Sequence, residues 1–161
     1  MKRWEYLLSK EYEIRKVIAW HYLKDCDVCI DIGAYGKPIP YLENIYSIDP
    51  LATMENSFHG TIGQWIEQFL PNISGKIGVA LLGFDIEGDG EYEKLLNLLK
   101  NVDIIVLECA LEFEPSVQKT DDLLKNINHK VESVINIELP PIQEEGYPTY
   151  SKRKMYILKR G

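Results

Sequence analysis

Four strand-like runs in this chain end on acids, and that pattern constrains the fold more than any other feature. Val28-Cys29-Ile30-Asp31-Ile32 closes at Gly33, and Asn44-Ile45-Tyr46-Ser47-Ile48-Asp49 stops at Pro50. A long apolar run over Ile77–Ile86 carries Asp85 and leads into Glu87, and a fourth over Asp103–Cys109 carries Glu108. Short apolar runs bounded by turn residues read as buried strands. In an open parallel sheet the carboxyl ends of the strands share one edge, and ligands bind there, at the crevice where strand order reverses. The four acidic ends would then meet rather than scatter.

The intervening segments have helical spacing. A helix is predicted from about Trp4 to Lys24, with Leu7, Ile14, Val17, Ile18 and His21 on one face, packing on the sheet. Further helices are predicted over Thr61–Leu70, Glu91–Lys100 and Ser116–Asn128. The chain closes with two strands, Val131–Leu139 and Lys154–Lys159, and a short strand is expected near Asn56–His59. Strands alternating with helices imply an α/β fold. The expected architecture is a Rossmann-like, mostly parallel sheet of six or seven strands. With no helix between the final two strands, the last is antiparallel, and Val131–Leu139 is expected to run parallel to its neighbours. The 161 residues suit a single domain over 1–161.

Composition narrows the function classes. A formal charge of −7 disfavours a broad nucleic-acid surface, since phosphate affinity comes from accumulated positive charge. No apolar run is long enough to span a bilayer, so no membrane partner is expected. Met1–Tyr6 has no apolar secretory block. Three cysteines, an odd number, read as free thiols in a reducing compartment, so a cytoplasmic location is expected. Cys26-x-x-Cys29 has the spacing of half a zinc site, but no second half follows, and structural cysteines are the preferred reading.

The first two strand ends suit a nucleoside. Gly33 and Gly36 let the backbone approach a ligand closely, and Asp49 can accept hydrogen bonds from both ribose hydroxyls. The alternative is a tight turn capped by Asp49.

On these residues the chain resembles the class I S-adenosylmethionine-dependent methyltransferases, and within them the FkbM type. Asp31-Ile32-Gly33-Ala34, Asp49-Pro50, Phe84-Asp85-Ile86-Glu87-Gly88 and Val106-Leu107-Glu108 follow the family's motifs in order. The resemblance implies S-adenosylmethionine as cofactor, held by Asp31, Gly33, Ala34, Gly36 and Asp49. It places Asp85 and Glu87 near the transferred methyl or the acceptor, and it implies O-methylation of a small molecule, sugars included; as bases for a hydroxyl acceptor the candidates are Asp85, Glu87, Glu108 and His59. A divalent cation shared by those three acids ranks below a simpler reading, in which Glu87 caps a helix and Glu108 pairs with a lysine or arginine. His59, beside Gly60, reads as a turn residue.

Twelve residues separate Gly33 from Tyr46, about the minimum for a crossover, so the first crossover should be reduced. Acceptor recognition then falls to strand-end loops, chiefly Pro140–Arg153 with Tyr147 and Tyr150, or to a second copy or another partner. Two other functions compete. One is a methyltransferase-like binding or structural domain without catalysis. The other is a dinucleotide-dependent oxidoreductase, which would need a third glycine and a following helix that are absent here.

Overall fold

The computed structural model describes residues 10–33, 39–49, 57–82, 89–139 and 151–161. Helix α1 (Lys10–Leu23) leads to β1 (Val28–Ile32) and β2 (Ile45–Ile48); helix α2 (Ile62–Phe69) precedes β3 (Ile77–Leu81). Helix α3 (Asp89–Leu99), β4 (Ile104–Ala110), α4 (Glu114–Asn126), β5 (His129–Glu138) and β6 (Lys152–Arg160) complete the order.

The six strands form one sheet in the order β2-β1-β3-β4-β6-β5. β2, β1, β3 and β4 are parallel, with Ile32 opposite both Ile48 and Leu81, and Leu81 opposite Leu107. β6 lies antiparallel between β4 and β5. After β1 the chain steps to one side for β2, then crosses back to the other side for β3, so strand order reverses at β1.

Central strands bury both faces, so their side chains sort by alternation. Ile30, Ile32, Val79, Leu81, Ile105 and Leu107 pack with Trp65 of α2, Leu95 and Leu99 of α3, and Leu123 of α4. Cys29, Ala80, Ile104, Val106, Met155 and Ile157 face the other way, against Ala19 and Leu23 of α1. Three helices cover one face, and among the described helices α1 alone covers the other. α2 starts at a capping box: Thr61 Oγ1 accepts from Gln64 N–H at 3.2 Å, and Gln64 Oε1 accepts from Thr61 N–H at 2.9 Å. This satisfies two otherwise orphaned donors.

Several expectations need correction. The strand expected near Asn56–His59 is, within the described residues, one parallel bridge between Ile48 and Phe58. β3 ends at Leu81, level with Ile32 at the end of β1, while β4 runs on past Leu107 to Ala110 along β6; residues 83–86 of the expected strand lie outside the described residues. β5 points the same way as the central strands, but its only strand neighbour, β6, is antiparallel to it. No helix lies in 39–44, as a twelve-residue connection requires, and Ile39 is buried on the α1 face.

The largest departure is the face of α1. Ile14 and Val17 are nearly half exposed, and the buried positions are Arg15, Lys16, Ala19 and Leu23. These follow the i, i+4, i+8 spacing of one helical stripe, with two cations inside it. Their reason lies across the sheet, at the strand-end acids.

Candidate functional site

The carboxyl edge of the sheet brings together Asp31, Gly33, Asp49 and Glu108. Gly33 turns the chain out of β1 with φ +81, a conformation that favours glycine. Its N–H donates to Ile48 O at 2.8 Å, tying the turn to the end of β2. Asp49, partly exposed, follows at once, and its N–H donates to Phe58 O at 3.1 Å. The first turn and the acid after the second strand therefore stand side by side at the point where strand order reverses.

Asp31 lies deeper, on the face covered by α1, with 4% of its surface exposed. Burial pushes its carboxyl up to about 7, opposed by the charges of Lys16 and Arg15 and by the Ile39 backbone N–H, and reinforced by nearby Asp49. Glu108 shares that face. Its side chain is fully buried between two guanidiniums: Arg153 Nη1 donates to Oε1 at 3.0 Å, and Arg15 Nε lies 3.0 Å from Oε2. The Arg15 contact is a close ion pair rather than an aligned hydrogen bond. This is the arginine pairing that the sequence left open as the alternative for Glu108.

Two carboxyls thus sit in a layer with Arg15, Lys16 and Arg153. Burying ions is costly unless each is compensated, and here α1 supplies two of the three cations. Sequence reasoning missed Arg15, Lys16 and Arg153. The available signal was the stripe Arg15-Ala19-Leu23, in which a cation falls on the same helix face as two small or apolar residues.

Ala34, Gly36, Asp85 and Glu87 lie outside the described residues, as do Pro50 and the tyrosines Tyr147 and Tyr150. The ends of the loop that carries those tyrosines are fixed at the carboxyl edge. Leu139 N–H donates to Ser151 O at 2.7 Å, and Leu111 N–H to Lys152 O at 3.0 Å. Glu112 Oε1 accepts from Lys152 N–H at 2.8 Å, a bond that lowers its carboxyl from the ordinary range. His59 is exposed, two residues before the start of α2 at Thr61. Among the described residues no three His, Cys, Asp or Glu side chains converge as metal ligands, and no helix is long and apolar enough to cross a membrane. A cavity of about 460 Å³ opens at the opposite edge, between Val28, Tyr46, Asn72 and Ser74. None of the strand-end acids lines it.

Neither a protein-family model nor a characterised protein sequence matches the chain. Among solved structures it is similar to the precorrin-6y C5,15-methyltransferase of Geobacter metallireducens. The identity is 14% over 90% of this chain and 88% of that one, with a TM-score of 0.50. Thermoplasma acidophilum 1320 aligns over 92% of this chain and 95% of its own, at 12% identity and a TM-score of 0.46. The α/β architecture, with its antiparallel β6 inserted beside β4, is a Rossmann-like methyltransferase fold.

Proposed function

We propose that this chain is an S-adenosylmethionine-dependent methyltransferase of the FkbM type, acting on an oxygen of a small molecule such as a sugar. The observation that carries this reading is the pairing of Gly33 and Asp49 at the reversal of strand order, locked by the Gly33 N–H···O Ile48 bond. The two residues suit the cofactor. Gly33 has no side chain to obstruct a close approach, and Asp49 is partly exposed, so its carboxylate can accept from ribose hydroxyls. When bound, S-adenosylmethionine supplies a methyl group on a cationic sulfur, open to attack by an acceptor oxygen.

The residues of the chain then divide the work. Asp49 orients the donor, and Gly33, Ala34 and Gly36 are assigned to hold it. Asp31 positions the turn at Gly33 from below through the Ile39 N–H, since its carboxyl is sealed under α1. A general base must come within hydrogen-bond reach of the proton it removes. Glu108 has both oxygens engaged by arginines, so we assign it a positioning role. Proton removal falls to Asp85 or Glu87, four and six residues after the end of β3 in sequence. Acceptor recognition falls to the loop anchored at Leu139 and Ser151, or to a second copy or other partner. A cytoplasmic setting fits the three free cysteines.

The competing reading, a methyltransferase-like domain without catalysis, draws on the same ion layer, because a carboxylate clamped by two arginines stabilises a fold rather than a reaction. Thermal unfolding with S-adenosylhomocysteine separates the two. A ligand at a hundredfold excess over its Kd adds about 2.7 kcal/mol, which raises Tm by roughly 5–10 °C in a chain of this size. No shift at millimolar ligand would refute cofactor binding. A shift without methyl transfer to any hydroxylated acceptor would favour the binding domain.

A further inference from the structure

Cys26 and Cys29 lie at the amino edge of the sheet, where α1 turns into β1, away from the strand-end acids. Two contacts draw the residues together. Leu23 O accepts from Cys26 N–H at 3.0 Å and from Cys29 Sγ at 3.3 Å, so both converge on one carbonyl. Cys29 is also the register partner of Gly78 in β3. Partners in neighbouring strands present side chains to the same face, about 4.7–4.9 Å apart. Gly78 has no side chain, and the point its Cβ would occupy lies 2.8 Å from Cys26 Sγ. Cys26 therefore leans over β3 into the space beside the Cys29 side chain.

The two thiols are unequal. Cys29 is 3% exposed and Cys26 is partly exposed. The Cys29 S–H, when turned from Leu23 O towards the neighbouring sulfur, holds Cys26 below the ordinary thiol range, with Lys76 acting the same way, against burial and the charges of Asp103 and Asp25. That hydrogen bond, together with burial, pushes Cys29 up. A partly exposed thiol held below its ordinary range, beside a buried partner, suits thiol–disulfide exchange.

We propose that Cys26 and Cys29 form a redox-active dithiol, with Cys26 as the attacking sulfur and Cys29 as the resolving one, oxidised by a low-molecular-weight disulfide such as glutathione disulfide. The Cys26 thiolate attacks one sulfur of that disulfide. A bond forms from Cys26 to glutathione, and the other glutathione leaves as thiolate. Cys29 then gives up its proton and attacks the Cys26 sulfur, which releases the second glutathione. Two protein thiols are oxidised to one disulfide, and one glutathione disulfide is reduced to two thiols. Cys109, buried on β4 at the other edge, has no part in this.

The test is mass spectrometry of the full chain after incubation with glutathione disulfide and alkylation of the remaining thiols. The expected product has lost two hydrogens, carries no glutathione, links Cys26 to Cys29 and is alkylated at Cys109. Cys26→Ser should acquire no adduct, whereas Cys29→Ser should retain glutathione on Cys26. A stable adduct on the wild-type chain, a link to Cys109, or alkylation of all three cysteines would overturn the proposal. If Cys29→Ser fails to fold, the wild-type product and Cys26→Ser decide the matter.

Discussion

Arg15 Nε stands 3.0 Å from Glu108 Oε2, with 4% of one side chain and none of the other exposed to solvent. The contact joins the only described helix on its face of the sheet to the carboxyl end of a central strand. Removing a charge from a buried pair costs about 3–5 kcal/mol when nothing else compensates its partner, and here Arg153 still holds Glu108 at 3.0 Å, so the loss should fall towards the lower end of that range. Arg15→Met should therefore lower the free energy of unfolding by that order, measured in urea. The double variant Arg15→Met/Glu108→Gln should cost less than the sum of the two single changes, because the Arg15–Glu108 attraction is lost only once, although Arg153 then loses its carboxylate as well. Additive losses would mean that the two side chains do not interact.

Asp31 predicts a pH dependence of definite sign. Its carboxyl rises from 3.8 to about 7 on folding, so the folded state holds the proton more tightly than the unfolded chain does. The stabilisation is complete below about pH 4 and is lost as pH rises towards 7, at up to about 1.4 kcal/mol per pH unit. Asp31→Asn should flatten that part of the stability profile. Unfolding curves of both proteins between pH 4.5 and 8 should diverge as pH increases; parallel profiles would show that Asp31 is not the group involved.

The ribose assignment is tested at Asp49. Asp49→Ala should weaken S-adenosylhomocysteine binding by tenfold or more, since hydrogen bonds to a charged group contribute about 1.5–3 kcal/mol. Calorimetric titration reads the change directly. Equal affinity in the variant and the wild type would remove Asp49 from the site.

The capping box of α2 gives a purely structural prediction. Thr61→Ala removes the oxygen that accepts from Gln64 N–H and should cost about 1 kcal/mol. A shift in the urea midpoint with an unchanged slope would report it.

Local signals made most of this fold legible in the sequence. The apolar runs around Ile30, Val79 and Val106 marked strands because each buries both faces, and Thr61 with Gln64 marked a helix start because capping involves neighbours only. Pairing extent was less visible. Leu81 is the last register partner of Ile32 in β1, whereas β4 goes on past Leu107 because β6 pairs with it as far as Ala110, a difference no local apolar pattern announces. The face of α1 was least legible. Hydrophobic spacing pointed to Ile14 and Val17, whereas burial followed Arg15 and Lys16, whose partners are supplied by distant strands. At the candidate site, Asp49 and Gly33 were readable from their positions after strands. The pairing of Glu108 with Arg153 joins positions far apart in the chain, so no local signal announced it.

The ion layer also bears on the order of synthesis. α1 is made before any strand of the sheet, while Glu108 arrives with the fourth strand and Arg153 with the sixth. A helix with a greasy stripe would spend that interval exposed to aggregation. With Arg15 and Lys16 on its docking side, α1 carries charge there until its counter-charges follow, Asp31 with β1 and Glu108 with β4. The stripe that looks wrong for a buried helix is well suited to a nascent one.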